Sequence, residues 1–516
     1  MLLTMRNIFN FVDTILDRIT MYKIVLYVLI GLVVITAILG TFRLVPYNPI
    51  AIVFSVLFFT VLCLAVNALF AWAFNVPANA ESVYITALIL ALIISPPRTP
   101  NDAIYFPLAI IASVVAMASK YILKIRRKHI FNPAALAVVF TGFTIGLPAS
   151  WWIGTKWTLL FVMIGGYLIT RKIRRFDLVI SFGVVAAITI AAATISSPFA
   201  TIANLGQAVV DSPIIFFATV MLTEPLTTPP TRWLRIIYGG IVGFLFAPAI
   251  HIGTLYTSPE LALVAGNVFA YLVSPKERLV LELKKIQKVA SDTYHFVFTA
   301  PQRLAFAPGQ YLEWTLPAKK ADSRGNRRYF TIASSPTERE VMMGVKFYPK
   351  PSSFKRDLAA MRPHDTIIAS QRAGDFTLPR NKRKKIAFIA GGIGITPFRS
   401  MLKFLIDRDE QRDIVMLYSN KTVADIAYTD ILDTAYENLG IKTVYTLTDQ
   451  ETIPPAWRGR RGFINKKMIT EEIPDFADRI FYLSGPRAMV MHFDEVLREL
   501  GVHHTHIKKD FFPGFV

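Results

Sequence analysis

Cysteine is almost missing from this 516-residue chain: Cys63 alone is present, inside an apolar run. One thiol forms no internal disulfide and cannot hold a four-cysteine iron–sulfur cluster, so both are excluded. Histidine is scarce as well. Of 8 in the chain, only His129 and His251 precede residue 273. Stacked haems within a membrane need four histidines on paired helices, so a haem relay fails on ligand count. Acidic residues are outnumbered, 36 against 56 Lys and Arg, giving a formal charge of +20. That excess is not a nucleic-acid signal, because the basic residues of the first half lie in short loops between apolar runs, where membrane topology explains them. A removable signal peptide is not expected either. Residues 1–22 are amphipathic, with Arg6, Asp13, Asp17 and Arg18 among apolar residues and no small-residue cleavage site behind them. They read as an interfacial helix.

What is abundant is apolarity, with 53% hydrophobic residues and a mean hydropathy of +0.43. It is uneven, since nearly all the long apolar runs end by about residue 273. The segments near 23–41, 49–75, 82–97, 103–123, 131–147, 151–170, 176–195, 207–224, 235–251 and 258–274 predict about ten spans. Several approach the ~20 residues that cross a hydrocarbon core. With a cytoplasmic N-terminus, the inner loops hold Lys124, Arg126, Arg127 and Lys128, then Arg171, Lys172, Arg174 and Arg175, then Arg232 and Arg235. The outer loops hold only Arg43, Arg98 and Lys156. This obeys the positive-inside rule and leaves both termini in the cytoplasm of a multi-pass protein of the cell membrane.

A faint repeat runs through the membrane half. Ser95-Pro96-Pro97 ends the third segment and Thr223-Glu224-Pro225 ends the eighth. Two segments later each unit carries an asparagine, Asn132 and Asn267. Proline-broken segments at matching places in oppositely directed halves predict half-helices meeting at a central site; prolines and glycines common at membrane-helix ends are the other reading. His129-Ile130-Phe131-Asn132-Pro133-Ala134-Ala135 and Ala218-Thr219-Val220-Met221-Leu222-Thr223-Glu224-Pro225-Leu226-Thr227 resemble motifs of a membrane flavoprotein family. That family comprises the B subunit of sodium-translocating NADH:quinone reductase and the D subunit of the Rnf complex. The resemblance implies a ten-helix inverted repeat and, in many members, covalent FMN on a threonine of an outer Ser-Gly-Ala-Thr motif. Here the corresponding stretch keeps only Ala200-Thr201, so covalent attachment at Thr201 is not expected. Half-helix dipoles near Asn132, Thr223 and Asn267 would suit a phosphate or a reduced, anionic ring, so a second flavin (FMN or riboflavin) or a quinone is expected there.

The remainder is charged and reads as soluble. Arg327-Arg328-Tyr329-Phe330-Thr331-Ile332-Ala333-Ser334-Ser335-Pro336 is a β-strand leading into a turn. A flavin wants a cation for its pyrophosphate, a flat side chain against its ring and a donor near N5. Arg328, Phe330 and Thr331 can supply these on alternate faces, with Tyr329 between them; any barrel's edge strand is the plainer alternative. Further on, Lys385-Ile386-Ala387-Phe388-Ile389-Ala390-Gly391-Gly392-Ile393-Gly394-Ile395-Thr396-Pro397 is a strand, a glycine turn and a helix start. Gly391, Gly392 and Gly394 let a ligand approach the backbone, and Pro397 suits a first helical position. Tyr482-Leu483-Ser484-Gly485-Pro486 closes the series. In this order and spacing the three stretches resemble the ferredoxin–NADP reductase superfamily. The resemblance implies FAD on the first and NADH or NADPH along Thr396, Tyr418, Ser484, Gly485 and Pro486, with Phe515 over the flavin ring unless it is a mere hydrophobic tail. The superfamily often has cysteine where Ser484 stands. Phe306 to Leu312 is expected as an early barrel strand turned by Gly309, and Lys346, Ser352 and Ser353 precede a helix start that favours the flavin pyrophosphate. Lys421 could meet a 2′-phosphate, and residues 382–385 could face anionic headgroups. His503-His504-Thr505-His506 alternates like a strand with outward histidines, and no metal is expected.

The predicted fold is thus a polytopic α-helical membrane domain (23–275) with an inverted repeat, a β-barrel FAD lobe (276–380) and an α/β nucleotide-binding lobe (381–516). The expected function is a flavin-dependent NAD(P)H:acceptor oxidoreductase that delivers electrons to a quinone or an extracytoplasmic redox protein. A transporter-like membrane module carrying a redox-sensing reductase domain is the alternative.

Overall fold

A computed structural model describes the chain except residues 1–10, 14, 17–18, 75–79, 126–127, 196–211, 248–249, 254, 275–278, 317–325 and 511–516. It divides into two units, Met1–Glu277 and Arg278–Val516.

In the first unit the apolar runs become helices. They are α1 (Met21–Thr41), α2 (Pro49–Ala73), α3 (Ala80–Ile93), α4 (Tyr105–Ile122), α5 (Pro133–Ile145), α6 (Lys156–Ile173) and α7 (Phe176–Ile195). Then come α8 (Ile214–Phe216, running on as a π-helical turn over Phe217–Met221), α9 (Arg232–Phe246) and α10 (Pro259–Val273). Asn48, Asn132 and Ser258 cap α2, α5 and α10, each followed by a proline at the first position, where its missing N–H costs nothing. Among the described residues, four helices are long and apolar enough to cross a membrane: α1, α2, α4 and Phe176–Ala193 of α7. Glu81–Ile93, Pro133–Ile145 and Pro259–Val273 are apolar but shorter. On α7, Ile180, Val184 and Ile188 point outward at helical spacing while Leu178, Phe182 and Ala186 are buried, so the apolar side chains cover both faces.

Small residues allow the tightest packing. Gly239 and Gly243 form a G-x-x-x-G step on α9 against α7. A Cβ at Gly239 would lie 2.8 Å from the Leu178 carbonyl oxygen, and one at Gly243 would lie 2.7 Å from that of Phe182. Helix contacts recur between the first five and last five helices. α2–α4 matches α7–α9, α4–α5 matches α9–α10, and α1–α3 matches α6–α8. The two sets meet at α1–α6 and α5–α10.

The second unit has two lobes. Strands β1 (Leu279–Ala290), β2 (Thr293–Thr299), β3 (Tyr311–Thr315), β4 (Arg327–Thr331), β5 (Val341–Lys346) and β6 (Thr366–Ala373) form an antiparallel sheet in the order β4-β3-β6-β1-β2-β5. Leu279, Leu281 and Leu283 point into a core with Phe296, Phe298 and Trp314, while Val280, Glu282 and Lys284 point out. The strand expected from Phe306 starts only at Tyr311. Gly309 has φ +94°, and a Cβ there would fall 2.1 Å from the Phe376 carbonyl, so the preceding residues turn instead of extending.

The other lobe is a wholly parallel sheet of β7 (Ile386–Gly391), β8 (Ile414–Asn420), β9 (Lys442–Leu447), β10 (Arg460–Arg461), β11 (Ile480–Ser484) and β12 (Ile507–Asp510), ordered β10-β9-β8-β7-β11-β12. β7 is buried along its whole length, as a central parallel strand must be. Its alternate residues feed two cores. Ile386, Phe388 and Ala390 meet α12 (Thr396–Asp407) and α13 (Thr429–Leu439) on one face. Ala387 and Ile389 meet α14 (Lys466–Glu472) and α15 (Arg487–Glu499) on the other. The histidines expected on a strand lie instead at a 3-10 turn, His504–His506, with β12 starting at Ile507. His503 Nδ1 and Thr505 Oγ1 lie 2.8 Å apart, which favours the turn over extension.

Candidate functional site

From β7 the chain crosses to β8 on one side, and β11 flanks β7 on the other, so the strand order reverses there. In open parallel sheets such a reversal leaves a crevice at the carboxyl ends of the strands. Ala390 is in register with Ser484, which brings the turn after β7 beside the turn after β11. Their approach is close. A Cβ at Gly394 would lie 2.4 Å from the Ser484 carbonyl oxygen, and one at Gly391 would lie 2.3 Å from the Met489 sulfur. Gly392 differs, with φ +53° and open space where its Cβ would be. A backbone cradle closed behind and open in front suits a dinucleotide. Thr396 begins α12 with its hydroxyl donated to the Ile393 carbonyl (3.2 Å), and Pro397 follows at the first turn. Ser484 is 3% exposed, and Pro486 stands immediately before α15. Tyr418 lies beneath the turn. Its hydroxyl donates to the Gly392 carbonyl (3.2 Å) and accepts from the Ala427 N–H (3.3 Å), which fixes the glycine turn from below. Lys421 is exposed at the end of β8.

On the antiparallel lobe, β4 pairs with β3, placing Thr331 opposite Tyr311. The Arg328 guanidinium lies over the Phe354 ring at 5.5 Å, Tyr329 donates to Glu313 (2.9 Å), and Phe330 packs at 5.9 Å on Phe354. Phe330 and Thr331 are both buried, whereas Arg328 and Tyr329 are half-exposed. Ser352 caps α11 (Ser353–Ala359) by accepting from the Lys355 N–H (3.3 Å), and Ser353 is buried. Lys346 makes a 2.7 Å ion pair with Asp425 of the parallel lobe. A cation, aromatic rings and a hydroxyl on one short strand next to a capped helix suit a flavin nucleotide.

Where the lobes meet, His295 is 5% exposed, lies opposite Gly344 and sits 4.7 Å ring to ring from Tyr428. Among the described residues, neither its Nε2 nor the Tyr428 hydroxyl has a hydrogen-bond partner. Burial first, then the positive Arg399, push the His295 pKa from 6.5 down to about 3. The unfolded chain therefore takes up a proton at this ring near pH 6.5 while the folded chain does not until about pH 3. Acid favours unfolding across that window, by about 1.4 kcal/mol for each pH unit. The thermal midpoint of the second unit should fall more steeply on acidification in the native chain than in His295→Leu. Parallel midpoint-against-pH curves would contradict this.

In the first unit, Asn132 and Asn267 meet directly. The Asn132 N–H donates to Asn267 Oδ1 (2.8 Å), and the Asn267 amide donates to the Tyr238 hydroxyl (3.0 Å). The Asn132 side chain accepts from the Ala135 N–H and donates to Glu224 (2.9 Å), which also accepts from Thr227 (3.2 Å). Thr223 turns back, its hydroxyl donated to the Thr219 carbonyl (2.6 Å). Thr201 and Phe515 lie outside the described residues. Nothing in the sequence pattern marks out His295, Glu338 or Tyr428, and little marks out Arg399. Arg399 is the nearest to a signal, being a charged residue on the buried face of a helix between Phe398 and Met401.

Residues 388–495 match the oxidoreductase NAD-binding domain family. The chain is 28% identical to the flavohemoprotein of Bacillus anthracis over 244 residues, covering 45% of this chain and 59% of that protein. It is 25% identical to the glycine betaine monooxygenase reductase subunit of Pseudomonas aeruginosa over 240 residues, 46% of this chain and 64% of that one. The chain thus spans less than two thirds of the length of these relatives. Among solved structures, the flavohem-like FAD/NAD-binding domain of nitric oxide dioxygenase from Vibrio cholerae aligns with 45% of this chain and 97% of its own, at 19% identity and a TM-score of 0.41. Residues 388–495 thus carry an oxidoreductase NAD-binding domain, and the C-terminal half of this chain is similar to flavohemoproteins and to reductase subunits.

Proposed function

We propose that the chain is a single-chain membrane NAD(P)H dehydrogenase. It takes electrons from cytoplasmic NADH or NADPH through FAD into the membrane unit, and on to a quinone or an extracytoplasmic flavin or redox protein. The observation that carries this is the glycine crevice at the strand-order reversal, held in one unit with the Arg328–Thr331 strand. Bound flavin would accept the nucleotide's hydride as an electron pair and release the electrons singly or together. Gly391, Gly392 and Gly394 admit the pyrophosphate to the backbone, Thr396 and Ser484 line the nicotinamide end, and Lys421 faces the adenosine end. Arg328 neutralises the flavin pyrophosphate beside Ser352 and Ser353. Phe330 and Thr331 flank the ring, and Phe515 covers it. The antiparallel lobe (276–380) is then the flavin-holding barrel and 381–516 the nucleotide lobe.

For residues 23–275 we infer ten spans in two inverted repeats of five helices. The recurring helix pairs support this, as do the proline breaks after α3 and α8. The polar cluster of Asn132, Glu224 and Asn267 marks where the repeats meet, and a second flavin or a quinone is placed beside it.

Extracted cofactors test the proposal. Purified chain should yield FAD plus a second flavin or a quinone, and in proteoliposomes external NAD(P)H should reduce an enclosed acceptor. FAD alone, with no such reduction, would point to a transporter-like module with a redox-sensing domain. Arg328→Ala combined with Thr331→Ala should purify without FAD; if that variant keeps FAD and oxidises NADH fully, the flavin strand is misassigned.

A further inference from the structure

We propose that Arg399 and Glu338 are a positioning pair that sets the spacing between the nicotinamide turn and the flavin strand. The inference rests on the function proposed above and assigns two residues to it. Arg399 stands on α12, directly after the glycine turn, and its side chain is 8% exposed. It grips Glu338 with both terminal nitrogens, one at 2.9 Å, and donates to the Ala333 carbonyl (3.1 Å). Ala333 lies two residues past Thr331, at the exit of the flavin strand. The neighbouring Ser400, wholly buried, donates to the Ser334 carbonyl (2.6 Å). Glu338 in turn accepts from the Ser335 N–H (2.6 Å). Three successive residues of the exit turn are therefore fixed, two of them directly by α12 and the third through Glu338.

Stability alone does not call for this arrangement. Two apolar side chains of similar volume would hold a buried seam as well as an ion pair, because removing both charges from water is costly. What a two-pronged arginine–carboxylate contact adds is fixed distance and direction. Thr331 and Thr396 are the residues that flank the reacting rings in the proposed function, and each lies within three residues of this contact. Displacing reacting groups by about 1 Å can cost roughly 100-fold in rate. The Lys346–Asp425 pair provides a second fixed point between the lobes.

The test uses the full chain in detergent, comparing the native protein with Arg399→Lys and with the double variant Arg399→Met/Glu338→Met. The double variant removes both charges and so leaves neither one buried alone. It should retain its FAD and bind NAD(P)H within about twofold of the native affinity, with KM unchanged. The amides of residues 333–335, 337 and 338 should exchange hydrogen faster, and turnover with a soluble acceptor should drop by roughly 100-fold. Arg399→Lys, which keeps the charge without the fork, should fall between. Native turnover and native amide protection in the double variant would overturn the proposal, as would a matching loss of FAD and nucleotide affinity, which would make the pair merely structural. Native protein without flavin would instead overturn the function itself, before any variant is compared.

Discussion

Gly394→Ala should purify with its FAD and bind NAD(P)H roughly 100-fold more weakly, a loss of about 2.8 kcal/mol at about 1.4 kcal/mol for each tenfold. The added methyl group would sit 2.4 Å from the Ser484 carbonyl oxygen, 2.5 Å from its carbon and 2.6 Å from the Gly485 Cα. All three are backbone atoms, so no rotamer can make room. One of the two turns has to move, and they are the walls of the crevice. Gly392→Ala is the instructive comparison. Its methyl group meets nothing within 4 Å, and its φ of +53° costs only about 1–2 kcal/mol for an alanine. That variant should fold normally and weaken binding by intruding where the ligand lies. Titrating both with NADH and NADPH separates a displaced wall from a blocked entrance. Native affinity in Gly394→Ala would mean the nucleotide binds elsewhere.

The second large effect belongs to the first unit. Gly243→Leu should abolish the folded first unit, seen as aggregation in detergent or as loss of one of two thermal transitions. A Cβ at Gly243 would lie 2.7 Å from the Phe182 carbonyl and 3.1 Å from the Ala186 nitrogen, so α7 and α9 would be forced apart along their length. Overfilling an ordinary core costs about 1–3 kcal/mol, and here it is backbone that must yield. Gly183→Leu is the control, since Gly183 is on α7 as well but has nothing within 4 Å of its Cβ position. It should behave as the native chain does. Equal behaviour of the two leucine variants would show that this contact does not hold the helices together.

Local patterns were legible. Alternation and β-branched residues mark Arg327–Thr331 and Ile386–Gly391 as strands, and the prolines after α3 and α8 mark where those helices stop. The glycines at 391, 392 and 394 point to a close backbone approach because few other physical reasons place three so near a strand end. What escaped detection was either overridden locally or distant in sequence. Phe306 to Gln310 looks extended, yet Phe376 on a remote turn leaves room only for a glycine bend. The histidines near 504 alternate like a strand, but a side chain-to-backbone turn competes and wins. Arg399 and Glu338 are 61 positions apart, and His295 meets Tyr428 only after both lobes have formed. No periodicity records such meetings.

The bond from the Asn132 N–H to Asn267 joins residues 135 positions apart. A buried amide left without a partner costs roughly 1–3 kcal/mol. Until the last helix of the unit is in place, the start of α5 therefore holds a donor that nothing before it in the chain meets. Completion of this unit waits on α10, its final helix.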